Sequence, residues 1–276
     1  MARSRIRSVA CARTGPISPV DQNHHVGSVP VIDTPIEERF VEHWRRYEAG
    51  EYRSAIFADV LLNDMNLLGG NLTVLDIGCG GGFDGNVPLQ RRIGTGAARF
   101  LGVEPADDVT PDACFHKVHR CLLEQAPIAP GSVDLAYAVM VAEHVADPVA
   151  FMRSVADALR KGGVFWAFTI DARHWSAWMS MFLERTHLKS AYMDALLGAR
   201  GKARWRNYPV EYKLNSPSQL ARYCAAFERV ESVSLHRVGA EDSNLPAFLR
   251  GPNRLLDAAL IAAGAPGSNF VFRAIK

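Results

Sequence analysis

The 276-residue chain lacks any apolar run approaching the roughly 18 residues that a membrane-crossing helix requires. It has only five cysteines (Cys11, Cys79, Cys114, Cys121 and Cys224), an odd number with no C-x-x-C pair among them. That usage speaks against a disulfide framework or a cysteine-based metal site and fits a reduced, cytoplasmic protein. No Gly-Lys-Ser/Thr closes a glycine-rich loop, which excludes the phosphate-cradling P-loop. Neither charge sign dominates: 31 basic and 29 acidic residues give a formal net charge of +2. Arg3, Arg5, Arg7 and Arg13 all precede the first acid, Asp21; without them the remainder carries 27 basic residues against 29 acidic ones. The body therefore has no excess of cations with which to grip a nucleic-acid backbone.

What the sequence does have is concentrated in Thr73 to Phe83. Val74, Leu75 and Ile77 suit a short strand covered on both faces, as in a parallel sheet. Gly78, Gly80, Gly81 and Gly82 follow at once, where backbone can approach a ligand with no Cβ in the way. About half a βαβ unit downstream, Phe100 to Pro105 is an apolar run ending in the carboxylate of Glu104. A glycine turn after one strand and an acid at the tip of the next is the arrangement that holds an adenosine ribose. The crowded glycines, followed by Asp84, match the dinucleotide G-x-G-x-x-G pattern poorly. They suit a zwitterionic amino-acid end better than a pyrophosphate.

Leu75 to Gly82 resembles the first motif, L-D-x-G-C-G-x-G, of the Rossmann-like (class I) S-adenosylmethionine-dependent methyltransferases. Gly131 to Val139 is similar to that superfamily's G-S-F-D-L entry to a fourth strand. Glu143-His144-Val145 with Asp147-Pro148 resembles its E-H-V-x-D-P segment, and Lys161 to Thr169 its K-P-G-G turn and fifth strand, here without the proline. The likeness spans residues 70 to 170 and fades on both sides. It implies an α/β fold: a doubly wound, mostly parallel seven-stranded sheet whose last strand is antiparallel, with N-terminal helices and insertions after the fifth and sixth strands.

Residues 1–33 read as a disordered tail, with an organellar targeting peptide as the alternative, since the arginines show no amphipathic face. Residues 34–70 read as two helices: Thr34 caps the first, with Phe40, Val41 and Trp44 inward, and Tyr52 to Met65 forms the second. They either close over a cofactor or cover a sheet face. The methyltransferase domain then fills 71–276, with insertions at about 171–215 and 239–268. Between these, Ser216 caps a helix to Phe227 and Val230 to Val238 is a strand; a helix is expected over Asn253 to Ala263 and a closing strand over Asn269 to Ile275.

The resemblance implies that S-adenosyl-L-methionine is the cofactor and assigns residues to it. Asp76 positions the methionine amino group, directly or through the loop; Gly78, Cys79, Gly80 and Gly82 offer backbone, with Cys79 a packing residue. Glu104, followed by Pro105, accepts both ribose hydroxyls. At the adenine, Leu122 and Leu123 stand where relatives place an aspartate, and Glu124 is a substitute. Glu143 lies beside the cofactor. His144 is either a general base or a positioning residue, and His174 is a second candidate base, both having the right unperturbed pKa. No metal site is expected, because Met140 occupies the first position of the E-x-x-E-H pattern that holds one in some relatives. The stripe His174, Trp175, Trp178, Met179, Met181 and Phe182 is either packing or acceptor pocket. Arg200, Lys202, Arg204 and Arg206 around Trp205 form either a solvated loop or a contact for a phosphate, a carboxylate or an anionic membrane surface. The expectation is methyl transfer to an oxygen or nitrogen of a small-molecule or lipid-linked metabolite. RNA or protein methylation, or a catalytically silent cofactor-binding protein, are the alternatives.

Overall fold

The computed structural model describes residues 34–188, 191 and 209–276. The Arg-rich segment 1–33 and the basic cluster Arg200 to Arg206 lie outside the described residues. Seven strands, β1 (Thr73–Ile77), β2 (Arg99–Val103), β3 (Lys117–His119), β4 (Val133–Val139), β5 (Leu159–Ile170), β6 (Arg229–Leu235) and β7 (Asn269–Ile275), form one sheet in the order β3-β2-β1-β4-β5-β7-β6. Neighbours from β3 through β5 pair in parallel, and β7 runs antiparallel to both β5 and β6. The carboxyl ends of β1, β2 and β4 thus emerge side by side, where an open α/β sheet holds its ligands.

Period-two alternation along each strand divides the core between two faces. Val74, Phe100, Leu135, Tyr137, Trp166 and Phe168 point one way, onto α1 (Ile36–Glu48), α2 (Arg53–Leu68) and α3 (Val87–Thr95). Leu75, Leu101, Ala136, Phe165 and Phe272 point the other way, onto α4 (Pro148–Ala158) and α6 (Pro217–Tyr223). The N-terminal helices therefore cover a sheet face: Phe57 of α2 stacks on Phe168 with ring centroids 4.4 Å apart. Two further helices decorate this core, α5 (Trp175–Arg185) after β5 and α7 (Ala247–Ala262) between β6 and β7. No described helix is long and apolar enough to cross a membrane.

Several local expectations need correction. Thr34 does not cap α1, because the cap position falls on Pro35; the Thr34 carbonyl instead accepts from Arg273 Nη2 at 2.7 Å. Ser216 is the cap residue of α6, but its hydroxyl makes no capping bond. Lys161-Gly162-Gly163 is a bulge inside β5, not a turn before it. Val133 faces Leu159 and Leu135 faces Val164, so two steps along β4 match five along β5. Gly162, at φ +72°, takes up the excess. Asp147 does cap α4, accepting from Val149 N and Ala150 N at 3.0 Å, with Pro148 in the first turn.

Candidate active site

The glycine loop leaves β1 and folds back against β2. Gly78 N and Cys79 N both donate to the Val103 carbonyl, at 2.8 and 3.1 Å. Gly78, Gly80 and Gly82 all have positive φ, at +74°, +28° and +117°. At Gly82 a Cβ would lie 2.6 Å from Val87 N, so the position is closed to any side chain on steric grounds as well. Cys79 is buried with its sulfur over Gly102, where a Cβ would come within 2.7 Å of it. Burial raises its thiol pKa far above the ordinary value, which makes it a packing group.

Glu104 sits at the end of β2, buried beneath this loop. Its Oε2 accepts from Gly80 N at 2.8 Å and its Oε1 from Ala106 N at 2.9 Å. Each oxygen holds one protein donor, which leaves acceptor capacity on both for a pair of hydroxyls. Pro105 is exposed and turns the chain outward.

Asp76 does not reach into the loop's ligand side. It is buried, and its Oδ2 accepts from Gln90 Nε2 at 2.9 Å and from the Tyr137 hydroxyl at 2.7 Å. Gln90 Nε2 also donates to the Cys79 carbonyl at 2.7 Å, so Asp76 braces the glycine loop through Gln90. Burial pushes the Asp76 carboxyl up to about 7; the bonds from Gln90 and Tyr137 oppose the shift and the charge of Glu104 adds to it. Sequence reading named neither Gln90 nor Tyr137. The available signal was a glutamine on the inward face of α3, one turn after its Asn86 cap.

At the tip of β4, Met140 adopts φ +55° and leads into the single turn Ala142–His144. Glu143 is buried; its Oε2 accepts from Thr169 Oγ1 at 2.6 Å, and Thr169 Oγ1 in turn accepts from Asn215 Nδ2 at 2.8 Å. Burial raises the Glu143 pKa against the opposing effects of His144 and the Thr169 bond. The Glu143 carbonyl receives Glu211 N and Tyr212 N, tying the returning chain to this corner. His144 Nδ1 lies 2.8 Å from the Pro209 carbonyl. A carbonyl only accepts, so Nδ1 carries the proton and Nε2 is the basic nitrogen.

His174 is placed elsewhere. It caps α5, with Nδ1 accepting from Ser176 N at 3.4 Å and meeting Ser176 Oγ at 2.8 Å. It lines a small opening with His236, Arg237, Asp257 and Ser268, beyond the β5–β7–β6 edge. With Nδ1 accepting, its Nε2 is a donor, the reverse of His144. Leu123 is buried in the core, whereas Leu122 is half exposed and Glu124 exposed on the rim. The structure thus gathers Asp76, Gly78, Cys79, Gly80, Gly82 and Glu104 into one corner, with Glu143 and His144 at the adjoining β4 tip. Trp178, Met179 and Phe182 of α5 are exposed, at 65%, 47% and 58% of their surface. Among the described residues, no group of three or more His, Cys, Asp or Glu could hold a metal ion.

Residues 75–167 match the family described as "Methyltransferase domain". The ubiquinone biosynthesis O-methyltransferase of Methylobacterium sp. is 38% identical over 108 residues, 36% of this chain and 41% of that protein. The enzyme of the same name from Aromatoleum aromaticum is 29% identical over 175 residues, 59% of this chain and 66% of that protein. The chain thus spans between about two fifths and two thirds of the length of these relatives. Among solved structures, geranyl diphosphate C-methyltransferase from Streptomyces coelicolor, complexed with S-adenosyl-L-homocysteine, superposes at a TM-score of 0.51. It is 17% identical, over 80% of this chain and 75% of that one. Over residues 75–167 the family match, the strand order and the glycine-loop corner make this a class I S-adenosylmethionine-dependent methyltransferase domain.

Proposed function

We propose that the chain transfers the sulfonium methyl of S-adenosylmethionine to a hydroxyl oxygen of a small-molecule acceptor. The observation that carries this reading is the Glu104 carboxylate, fixed by Gly80 N and Ala106 N beneath a loop in which Gly82 has no room for a side chain. Those residues fit the cofactor: Glu104 offers two acceptor atoms for the ribose, and the loop offers backbone for the amino-acid end. When bound, the cofactor supplies an already activated methyl group, so the protein has no covalent chemistry to perform.

What the chain contributes is alignment and exclusion of water. Asp76, Gln90 and Tyr137 hold the glycine loop from behind. Glu143, Thr169 and Asn215 fix the β4 tip and the chain that returns over it. His144 presents Nε2 as the basic nitrogen, suited to take a proton from an acceptor hydroxyl. The names of the relatives, O-methyltransferases in ubiquinone biosynthesis, support oxygen over nitrogen as the atom methylated.

The test is incubation with methyl-labelled cofactor and a panel of hydroxyl- and amine-bearing small molecules. Label should appear on hydroxyl compounds, and His144→Ala should lower kcat by about 100- to 10,000-fold with little change in cofactor affinity. Transfer confined to amines, or a His144→Ala variant with full kcat, would contradict this reading.

A further inference from the structure

Helix α7 is built the wrong way round for a helix on a water-facing surface. Its two buried residues, Asn253 and Asp257, are polar. Its apolar residues face out: Phe248, Pro252, Leu255, Ala259 and Ala262 follow one another at steps of four and three, which makes a single stripe along the helix. Phe248 and Leu255 keep 73% and 76% of their surface exposed, and Leu256 beside them is exposed as well. A monomeric soluble protein normally turns such a stripe toward its core.

The helix cannot roll over to hide the stripe, because its polar side is tied down. Asp257 Oδ2 accepts from Gly239 N at 2.8 Å and from Asn253 Nδ2 at 3.3 Å. Asn253 Nδ2 also donates to Asp242 Oδ1 at 3.1 Å, and Asp242 Oδ2 accepts from Arg254 Nε at 2.6 Å. Trp175 Nε1, at the start of α5, lies 3.5 Å from Asp257 Oδ1. Turning the stripe inward would break all of these contacts at once. Joined to α7 at that point, α5 exposes an aromatic pair of its own, Trp178 and Phe182, four residues apart.

Charge and shape decide what the stripe fits. The exposed charges of α7 are Arg250 and Arg254, the second 63% exposed although bonded to Asp242; the helix's single acid, Asp257, is buried. Two copies packed stripe to stripe would bring four arginines together, whereas an anionic surface complements them. Gly251, Leu256 and Ala258, to either side of the stripe, are exposed too, so the stripe is the crest of a ridge and not the floor of a groove. A protein partner would need a groove matched to that ridge; the fluid interface of a bilayer takes it without one. An apolar crest carrying phenylalanine and leucine, flanked by arginines, is the pattern of a helix that lies in a membrane interface.

We infer that α7 docks the protein on an anionic phospholipid surface, with Phe248 and Leu255 entering the interface and Arg250 and Arg254 meeting lipid phosphates. The inference does not rest on the cofactor reading above. It concerns where the chain works, not what it transfers.

The experiment is cosedimentation of the full chain with vesicles of phosphatidylcholine containing about 30% phosphatidylserine, beside vesicles of phosphatidylcholine alone. Wild type should bind the anionic vesicles about 10- to 25-fold more tightly, at about fivefold for each arginine near the surface. Arg250→Gln together with Arg254→Gln should remove that preference. Phe248→Ser together with Leu255→Ser, and independently Ala259→Glu on the same stripe, should weaken binding to the anionic vesicles by about tenfold or more. These side chains are exposed, so none of the variants should melt lower than wild type when vesicles are absent. Failure of wild type to cosediment, or full binding by the stripe variants, overturns the inference. A lowered melting temperature in both stripe variants also overturns it, by giving the stripe to this chain's own residues. A wild-type dimer that the stripe variants dissociate overturns it in favour of a second copy.

Discussion

The β2–β1–β4 half of the sheet and the β5–β7–β6 half end at the same edge and are built differently. In the first, Glu104, Asp76 and Gln90 tie down the glycine loop, and Thr169 holds Glu143 at the β4 tip. In the second, the turns are replaced by α5, α7 and the long segment between α5 and α6. There His174 is spent as a helix cap and Trp178, Met179 and Phe182 face outward. The contrast teaches that one half is preorganised for a ligand common to many chains, whereas the other carries what is particular to this one.

That comparison breaks if substitutions in the two halves have similar effects on cofactor binding. The largest effect is expected at Gly82. Gly82→Ala places a Cβ 2.6 Å from Val87 N at φ +117°, so backbone must move, at about 1–3 kcal/mol or more in stability. Binding of S-adenosylhomocysteine should be lost, and a wild-type melt with wild-type affinity would show that the loop is not built as described.

A smaller effect concerns pH. The Asp76 carboxyl is pushed up to about 7 in the folded protein, against about 3.9 in an unfolded chain. A carboxyl that holds its proton more tightly when folded contributes stability that is full below about pH 4 and lost as pH rises through about 7. Wild type should therefore lose stability between about pH 4 and pH 7 relative to Asp76→Asn, whose amide still accepts from Gln90 and Tyr137. At about 1.4 kcal/mol per tenfold change in proton affinity, the ceiling on that difference is about 4 kcal/mol. Parallel stability curves for the two proteins across this range would place the Asp76 carboxyl in an ordinary environment.

The smallest effect should come from the other half. Trp178 keeps 65% of its surface exposed, and its side chain donates from Nε1 to the Ala172 carbonyl. Trp178→Ala should shift stability by no more than about 0.5 kcal/mol and leave cofactor affinity unchanged. A marked loss of affinity would mean that α5 reaches the first half.

The same contrast explains what the sequence disclosed. Strand β1, the glycine loop and Glu104 were legible because they lie within thirty-two residues and each obeys a local rule: a buried run, a glycine at positive φ, an acid at a strand tip. β7 was legible to the residue, since all seven of its positions are buried. The brace behind the loop was not. Gln90 and Tyr137 stand 14 and 61 residues from Asp76; only folding reveals such pairs. The two histidines looked equivalent in the sequence, and their neighbours set them apart: a carbonyl beside Nδ1 of His144, a backbone N–H beside Nδ1 of His174. The bulge in β5 was read as a turn because paired glycines serve both.

The central claim is that the β1–β2 corner is a site for S-adenosylmethionine organised around Glu104. Calorimetric titration of wild type and Glu104→Ala with S-adenosylhomocysteine tests it most directly. Wild type should bind with a dissociation constant on the order of micromolar, and the variant about 10- to 100-fold more weakly, as expected for hydrogen bonds to a carboxylate, with NAD bound by neither. Superimposable curves for the two proteins, or tight binding of NAD by wild type, would contradict the account.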